Sequence, residues 1–177
     1  MPTQTTPKPP AISGVSASAE TVVMIKYPSI CCRGIGRALG SLYESIPAPK
    51  INGIKPSYLL FPLPTAPFAA LGYLTLKVSG ERYVLTNRSV QICSSLGNRR
   101  IASVALSDID EIEVIQQTGQ KFFKAADLYL LNSEGESLAT VAAVPHAEGF
   151  RQTILKARDA LVQVEAALAT IEARKSD

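Results

Sequence analysis

The side chains of three arginines are the ones in this sequence best suited to recognising a specific chemical group. Arg88 follows a strand-like run at a turn, and Arg99 and Arg100 stand at the start of a later strand. A guanidinium group donates paired hydrogen bonds to phosphate, and basic side chains near a bilayer attract anionic headgroups. We therefore predict phosphate or lipid-headgroup contacts at these three arginines, with ordinary charge on solvated turns as the alternative.

Acidic side chains near the middle of the chain are the residues in this sequence that most resemble a metal-binding or acid–base cluster. Strand alternation assigns Glu111 and Glu113 to the solvent face, because Ile112 and Val114 are needed in the core. The single histidine, His146, stands at a strand–helix junction, and the three cysteines lack the CxxC spacing of metal sites. The sequence therefore predicts no enzyme, with no catalytic, metal-binding or cofactor-binding residues and no cofactor.

Residues 34–40, GIGRALG, contain closely spaced glycines of the kind found in phosphate-binding loops. A dinucleotide loop needs a GxGxxG spacing after a strand and a later acidic residue on a second strand, and only the preceding strand, at residues 21–27, is present. Two other interpretations fit the spacing: close packing of a helix through Gly36 and Gly40, or an amphipathic helix at a membrane interface. A small-ligand or nucleotide-binding domain is therefore a third functional hypothesis.

An uncharged apolar segment occupies residues 56–76, between Lys50 and Lys55 on one side and Lys77 on the other. A helix over this segment is about 31 Å long at about 1.5 Å per residue, which is close to the thickness of a bilayer core. Aromatic and aliphatic side chains of the segment are therefore candidate membrane contacts. These candidates are Tyr58, Leu59, Leu60, Phe61, Phe68, Leu71, Tyr73 and Leu74.

Three prolines, Pro62, Pro64 and Pro67, oppose one continuous helix through this segment because each lacks a backbone donor. We predict regular helix only from about Pro67 to Leu76. Three arrangements stay open: a kinked or re-entrant membrane segment, a segment lying in the interface, and a soluble segment that covers the following domain. Positive residues on both flanks predict no orientation.

Composition divides the chain into five segments. Residues 1–20 are a Pro-, Thr- and Ser-rich flexible tail that cannot bury a core of its own and lacks the apolar run of a secretory signal. Residues 21–55 contain a strand and an amphipathic helix, and residues 56–76 are the apolar segment. A β-rich domain follows at residues 77–158, and residues 159–177 extend its C-terminal helix. The apolar stripe of the amphipathic helix consists of Ile35, Leu39, Leu42, Tyr43 and Ile46.

Short alternating runs separated by turn residues predict an antiparallel sheet between residues 81 and 144. Asn87 tolerates the left-handed backbone of a tight hairpin, and residues 132–135 (NSEG) form a second good turn. From Pro145 to about Ala173, an apolar stripe predicts a helix longer than the domain needs. The part beyond about Leu161 has surplus apolar surface for a partner.

Charge is distributed unevenly along the chain. Residues 1–80 carry seven Lys/Arg and two Asp/Glu, a net charge of +5, whereas residues 81–177 carry eleven and thirteen, a net charge of −2. The basic half contains the apolar segment, as a membrane-surface role requires. No dense basic stripe is interleaved with aromatics, which argues against nucleic acid as a partner.

Three cysteines, two of them adjacent, predict free thiols in a reducing cytoplasm.

The run YVLTNR at residues 83–88, followed by residues 101–104 and LSDIDEIEV at 106–114, resembles the bacterial pleckstrin-homology-like (PH-like) domain family. The run VPHAEGFRQTI at residues 144–154 is similar to the family's last strand and closing helix. The resemblance covers about residues 77–158. It implies a seven-stranded, strongly bent antiparallel sheet, a partial β barrel, capped by a long C-terminal helix. One proline-rich segment stands here where many members have two membrane helices.

The sequence thus predicts an α+β, membrane-associated PH-like protein of the bacterial type, without enzymatic activity, which anchors or assembles partners at a membrane. We expect the PH-like domain in the cytoplasm, and either a protein partner or an oligomer formed through the C-terminal helix. The alternative is a soluble structural subunit of a larger assembly, with the apolar segment buried between subunits.

Overall fold

The computed structural model describes residues 19–45 and 62–176, which form an α+β fold of seven strands and three α-helices. The strands divide between two antiparallel sheets, of four and three strands, each arranged in chain order. The first sheet contains β1 (Val22–Lys26), β2 (Glu81–Thr86), β3 (Ser89–Ser94) and β4 (Arg100–Ala105). The second sheet contains β5 (Glu111–Ile115), β6 (Ala125–Leu131) and β7 (Ser137–Pro145).

The hairpins of the first sheet form where the turn residues predict them. Asn87 lies in the turn between β2 and β3, and the register beyond it places Leu85 opposite Val90. The turn between β3 and β4 contains Gly97 and Asn98, whose φ angles are 78° and 52°. Glycine and asparagine adopt this left-handed region most readily, so these residues fix the turn.

A single main apolar core lies among the two sheets and α3 (Ala147–Ser176). Strand alternation supplies it, as on β5, where Ile112 is buried and Glu111 and Glu113 are exposed. Phe150 and Ile154 of α3 are fully buried in this core, so the first turns of the helix close one side of it. Burying each such side chain contributes about 1.5–3 kcal/mol.

Two helices lie between β1 and β2 in the sequence: α1 (Gly34–Ser45), which follows a 3₁₀ turn at Ile30–Cys32, and α2 (Pro62–Ser79). The prediction that regular helix begins near Pro67 is wrong, because α2 begins at Pro62 and contains Pro67. The first four backbone N–H groups of a helix have no intrahelical acceptor, so Pro62 and Pro64 remove no hydrogen bond, whereas Pro67 lies inside the helix and removes one. Within residues 19–45 and 62–176, no helix combines the length and the apolar character needed to cross a bilayer.

The predicted fold class is confirmed, but the prediction that the sheet curls into a β barrel is corrected. The fold is α+β and PH-like, with a long C-terminal helix packed against antiparallel strands. Its strands lie in two open sheets and do not close into a β barrel, because β4 pairs with β3 and β5 pairs with β6, without a ladder between β4 and β5. Most of the predicted tail and four predicted membrane contacts lie outside the described residues. Those contacts are Tyr58, Leu59, Leu60 and Phe61.

Candidate binding surfaces

The three candidate headgroup contacts do not form one site. Arg88 lies in the turn that begins β3, whereas Arg99 and Arg100 lie where β4 begins, beside the far end of β3. A strand of six residues is about 20 Å long at about 3.3 Å per residue, so the two ends are too far apart for one phosphate. The structure therefore brings Arg99 and Arg100 together and leaves Arg88 apart, and headgroup contact at either end stays a prediction.

The acidic residues of β5 point to solvent and form no ligand set. Glu111 and Glu113 are exposed, as the strand alternation predicts. In the described parts of the chain, no three His, Cys, Asp or Glu side chains are grouped in a way that holds a metal ion. Cys31 and Cys93 are buried free thiols, and burial raises the pKa of Cys31.

The GIGRALG glycines bring α1 into close contact with neighbouring backbone. A Cβ atom built on Gly36 would overlap the carbonyl oxygen of Ile30, and one built on Gly40 would overlap the carbonyl oxygen of Gly119. Gly119 lies in the loop between β5 and β6 and has φ 83°. Of the three interpretations of these glycines, the structure therefore supports close helix packing.

Polar contacts complete the junction between α1 and the β5–β6 loop. The carboxylate of Glu44 accepts hydrogen bonds from the backbone N–H groups of Gly119, at 3.2 Å, and Phe122, at 3.0 Å. Arg37 donates to the side chain of Gln117 at 2.9 Å. The glycine spacing indicated close packing of α1, but the sequence contained no signal for these polar partners, because they are about 80 residues away along the chain.

The predicted apolar stripe of α1 is divided between this junction and solvent, because Tyr43 packs on Phe122 of the β5–β6 loop with ring centres 4.8 Å apart. Gly36, Gly40 and Tyr43 are the buried residues of α1, whereas Ile35 and Leu42 are exposed. The stripe was predicted from hydrophobic spacing alone. Because contact with neighbouring backbone requires small residues, α1 packs through Gly36, Gly40 and Tyr43 and leaves Ile35 and Leu42 outside.

Helix α2 exposes all four of its described candidate membrane contacts. Phe68, Leu71, Tyr73 and Leu74 are between 44 and 74 % exposed, whereas Leu76 is buried against the domain. Leu71 and Leu74 continue to the exposed Val78 at spacings of three and four residues, which places these three on one face of the helix. We call Leu71, Leu74 and Val78 the outer stripe of α2.

A carboxylate from the chain before β1 occupies the turn between β2 and β3. One oxygen of Glu20 accepts hydrogen bonds from Ser89 Oγ at 2.6 Å, from Thr86 Oγ1 at 2.8 Å and from Gln91 Nε2 at 2.8 Å. These hydrogen bonds, from Ser89 first, hold the pKa of Glu20 below its ordinary value of 4.5, and the charge of Arg100 adds to the effect. The turn thus holds the chain at the start of β1.

Backbone hydrogen bonds reinforce the same attachment. The side chain of Asn87 accepts from the N–H of Thr21 at 2.9 Å and donates to the carbonyl of Ala19 at 3.1 Å. The TNRS run at residues 86–89, which the sequence marks only as a tight turn, therefore also binds residues 19–21. The partners are more than 60 residues apart in sequence, so no local pattern indicated this role.

Asp127 is a buried carboxylate at the base of β6. It accepts hydrogen bonds from Gln120 Nε2 at 2.6 Å, from Gln117 Nε2 at 2.7 Å and from the backbone N–H of Ala143 at 2.7 Å. Ala143 has φ 50°, a left-handed conformation that is uncommon for a residue with a Cβ atom. Its carbonyl accepts from the N–H of Ser29 at 2.9 Å, so Asp127 stabilises a backbone irregularity that joins β7 to the chain after β1.

Helix α3 continues well past the core. It has 30 residues and is about 45 Å long at about 1.5 Å per residue. Beyond Ile154, Val164 and Ile171 are 40 and 50 % exposed. Apolar residues recur along it at alternating spacings of three and four, the heptad pattern of a coiled coil. This heptad stripe consists of Ala157, Leu161, Val164, Leu168 and Ile171.

The two open sheets and the closing helix define a PH-like domain, and its exposed apolar surfaces are those of a binding module. The chain belongs to the bacterial PH domain family, whose model matches residues 46–158. Domains of this kind are generally binding modules without catalytic activity. No curated protein and no solved structure matches the chain. Strand β1 and helix α1 precede the matched range, although β1 supplies an edge of the first sheet.

Proposed function

We propose that this protein is a non-enzymatic binding and scaffolding protein that associates with a membrane through α2 and holds partners, or further copies of itself, through α3. The observation that carries the proposal is the outer stripe of α2. Leu71, Leu74 and Val78 are each more than half exposed on a helix whose opposite side packs on the domain. Exposed apolar side chains in one stripe mark a surface that is covered by a membrane or a partner.

The positive charge near α2 favours a membrane as the surface that covers the outer stripe. The basic half of the chain contains α2, and Lys77 is placed at the end of the helix next to the domain, 5.5 Å from the ring centre of Tyr27. A basic surface beside apolar side chains suits anionic lipid headgroups. Free thiols at Cys31 and Cys93 suit a PH-like domain in the reducing cytoplasm.

Flotation with lipid vesicles tests the membrane association. The full chain is mixed with vesicles of phosphatidylglycerol and phosphatidylethanolamine, and bound protein is separated on a density gradient. We expect the wild type to float and the Leu71→Asp, Leu74→Asp double variant to bind at least about tenfold more weakly, because each leucine contributes about 1.5–3 kcal/mol when buried in lipid.

A matched control uses exposed apolar residues away from α2. Leu96→Asp combined with Ile115→Asp alters the β3–β4 turn and β5, where the two side chains are 69 and 39 % exposed, and we expect flotation to be retained. Release of the wild-type protein from cell membranes at alkaline pH, with recovery in a large soluble complex, would instead support the alternative of a structural subunit whose apolar surface is buried between subunits.

A further inference from the structure

Helices α1 and α2 diverge from their common contact with the domain and leave an apolar groove between them. Its volume is about 460 Å³. Ile35 and Leu39 of α1 form one wall, and Phe68 of α2 forms part of the other. Leu76 and Gly36, both buried, lie at its floor. The groove is lined partly by α2, the same helix that carries the outer stripe.

A second, more polar cavity adjoins the groove. It has a volume of about 380 Å³ and shares Arg33 and Leu76 with the groove. Its lining includes the side chains of Cys32 and Glu81. The charges of Arg33 and Glu81 both act on the thiol of Cys32, so both charged groups lie near it. The two cavities together therefore offer an apolar groove followed by a cation and a carboxylate.

We propose that the two cavities bind one phospholipid molecule, with an acyl chain in the α1–α2 groove, the phosphate on Arg33 and a donor group of the headgroup on Glu81. The site would let the protein hold a lipid monomer, and the inference rests on the proposed function only for the membrane as the source of that lipid. Phosphate pairs with guanidinium, and a carboxylate accepts from an ammonium or hydroxyl group.

The size of the groove favours an acyl chain over a docked helix. A methylene group occupies about the volume of a water molecule, about 30 Å³, so the groove has room for about fifteen such groups. One turn of an α-helix about 10 Å wide and 5.4 Å long fills about 420 Å³, so a partner helix would be held over a single turn only. The volume of the groove therefore suits one chain of palmitoyl length.

Gly72 supplies the variant that fills the groove without disturbing the fold. It lines the groove, and a Cβ atom built on it meets no described atom within 4 Å. Gly72→Leu should therefore occupy the space of the acyl chain and also favour helix. Gly149→Leu is the matched control, because Gly149 also lies on a helix, is exposed and has the same free space, but is far from the groove in the first turn of α3.

Binding is measured with the full chain by calorimetry and native mass spectrometry, using lysolipids below the concentration at which they form micelles. Palmitoyl lysophosphatidylethanolamine, whose headgroup donates hydrogen bonds, is compared with palmitoyl lysophosphatidylcholine, whose headgroup does not, and with palmitate. We expect one lysophosphatidylethanolamine per chain, bound at least about fivefold more tightly than either other probe. Glu81→Gln should remove most of the preference over lysophosphatidylcholine, whereas Arg33→Gln should weaken the binding of both lysolipids, because both carry the phosphate. Gly72→Leu should weaken binding at least tenfold, with Gly149→Leu unchanged.

Equal binding by the wild type and Gly72→Leu would overturn the proposal, and so would equal affinity for the three probes or no binding at all. Because monomeric lysolipid is measured without vesicles, the result is independent of flotation. A protein that binds one lysolipid but does not float would retain this inference and contradict the proposed membrane association. A protein that floats but binds no lysolipid monomer would support the proposed membrane association and contradict this inference.

Discussion

Gly40 of α1 lies directly against Gly119 of the β5–β6 loop, and neither residue has space for a side chain. Gly119 also has φ 83°, which glycine alone adopts without strain. We expect Gly40→Ala to lower the free energy of unfolding by about 1–3 kcal/mol, as is usual when a methyl group is forced into a filled space. Urea denaturation followed by circular dichroism measures the change.

The control for this variant lies on the same helix. A Cβ atom on Gly34 meets nothing within 4 Å, so Gly34→Ala adds the same methyl group without a clash and should leave stability equal or slightly higher. Hydrogen exchange should also show α1 opening more readily in Gly40→Ala than in Gly34→Ala. Equal stability of the two variants would mean that the glycine contact does not hold α1 on the domain.

Glu20 makes part of the stability dependent on pH. Hydrogen bonds from Ser89, Thr86 and Gln91 lower its pKa in the folded state from 4.5. A carboxyl group with a lowered folded pKa stabilises the fold at pH values above its unfolded pKa, and this contribution is lost as the pH falls through the folded value. Glu20→Gln should therefore be less stable than the wild type near pH 7, and the difference should shrink below about pH 4.5.

Thermal unfolding of the two proteins between pH 7 and pH 3 gives the measurement. Glu113→Gln is the control, since Glu113 is exposed on β5 and its replacement should alter the melting temperature little at any pH in this range. A gap between wild type and Glu20→Gln that stays constant down to pH 3 would show that the charge of Glu20 plays no part in its attachment.

The sequence predicts those parts of the fold whose determining interactions lie within a few residues of one another. Alternation and turn residues predicted the strands around Leu85 and Ile112 and the hairpin at Asn87, because period and turn chemistry act within a few residues. The helix of residues 147–176 was predicted for the same reason. The contacts of Glu20 and Asp127 were not predicted, because their partners come from distant segments that only the folded chain brings together.

The helices before the domain show the same division. Hydrophobic spacing placed Ile35 and Tyr43 on one face of α1, but the close approach of Gly40 to another loop turns the helix so that Tyr43 is buried and Ile35 is exposed. Proline content placed the start of α2 too late, because the rule that proline disrupts helices does not hold in the first turn. The candidate arginines were chosen by type, and the strand between Arg88 and Arg99 separates them.

Asp127 is expected to be the most sensitive polar position in the domain. Its carboxylate accepts hydrogen bonds from two side-chain amides and from the N–H of Ala143, and it is 3 % exposed. Asp127→Asn replaces one acceptor oxygen with a donor that faces other donors, so we expect a loss of about 2–3 kcal/mol in the free energy of unfolding. Asp159→Asn, in an exposed pair with Arg158, should cost less than about 1 kcal/mol in the same urea titration. Similar losses for the two variants would contradict this account of the buried network.

The heptad stripe of α3 predicts how the protein assembles. Phe150 and Ile154 are buried in the core of the domain, whereas Val164 and Leu168 continue the same spacing beyond that core. Placing charges in such a stripe removes apolar burial from both helices of a pair, so Val164→Asp with Leu168→Asp should weaken self-association at least about tenfold.

Sedimentation velocity over a range of protein concentrations measures this effect, and thermal unfolding of the dilute protein shows whether the domain itself is intact. Val162→Asp is the control, because Val162 is 59 % exposed on the same helix but lies outside the heptad stripe. We expect the control to assemble as the wild type does, since its side chain faces away from a partner helix. If the wild type is a monomer at every concentration, the stripe instead serves a different protein, and the double variant should then lose that partner while Val162→Asp retains it.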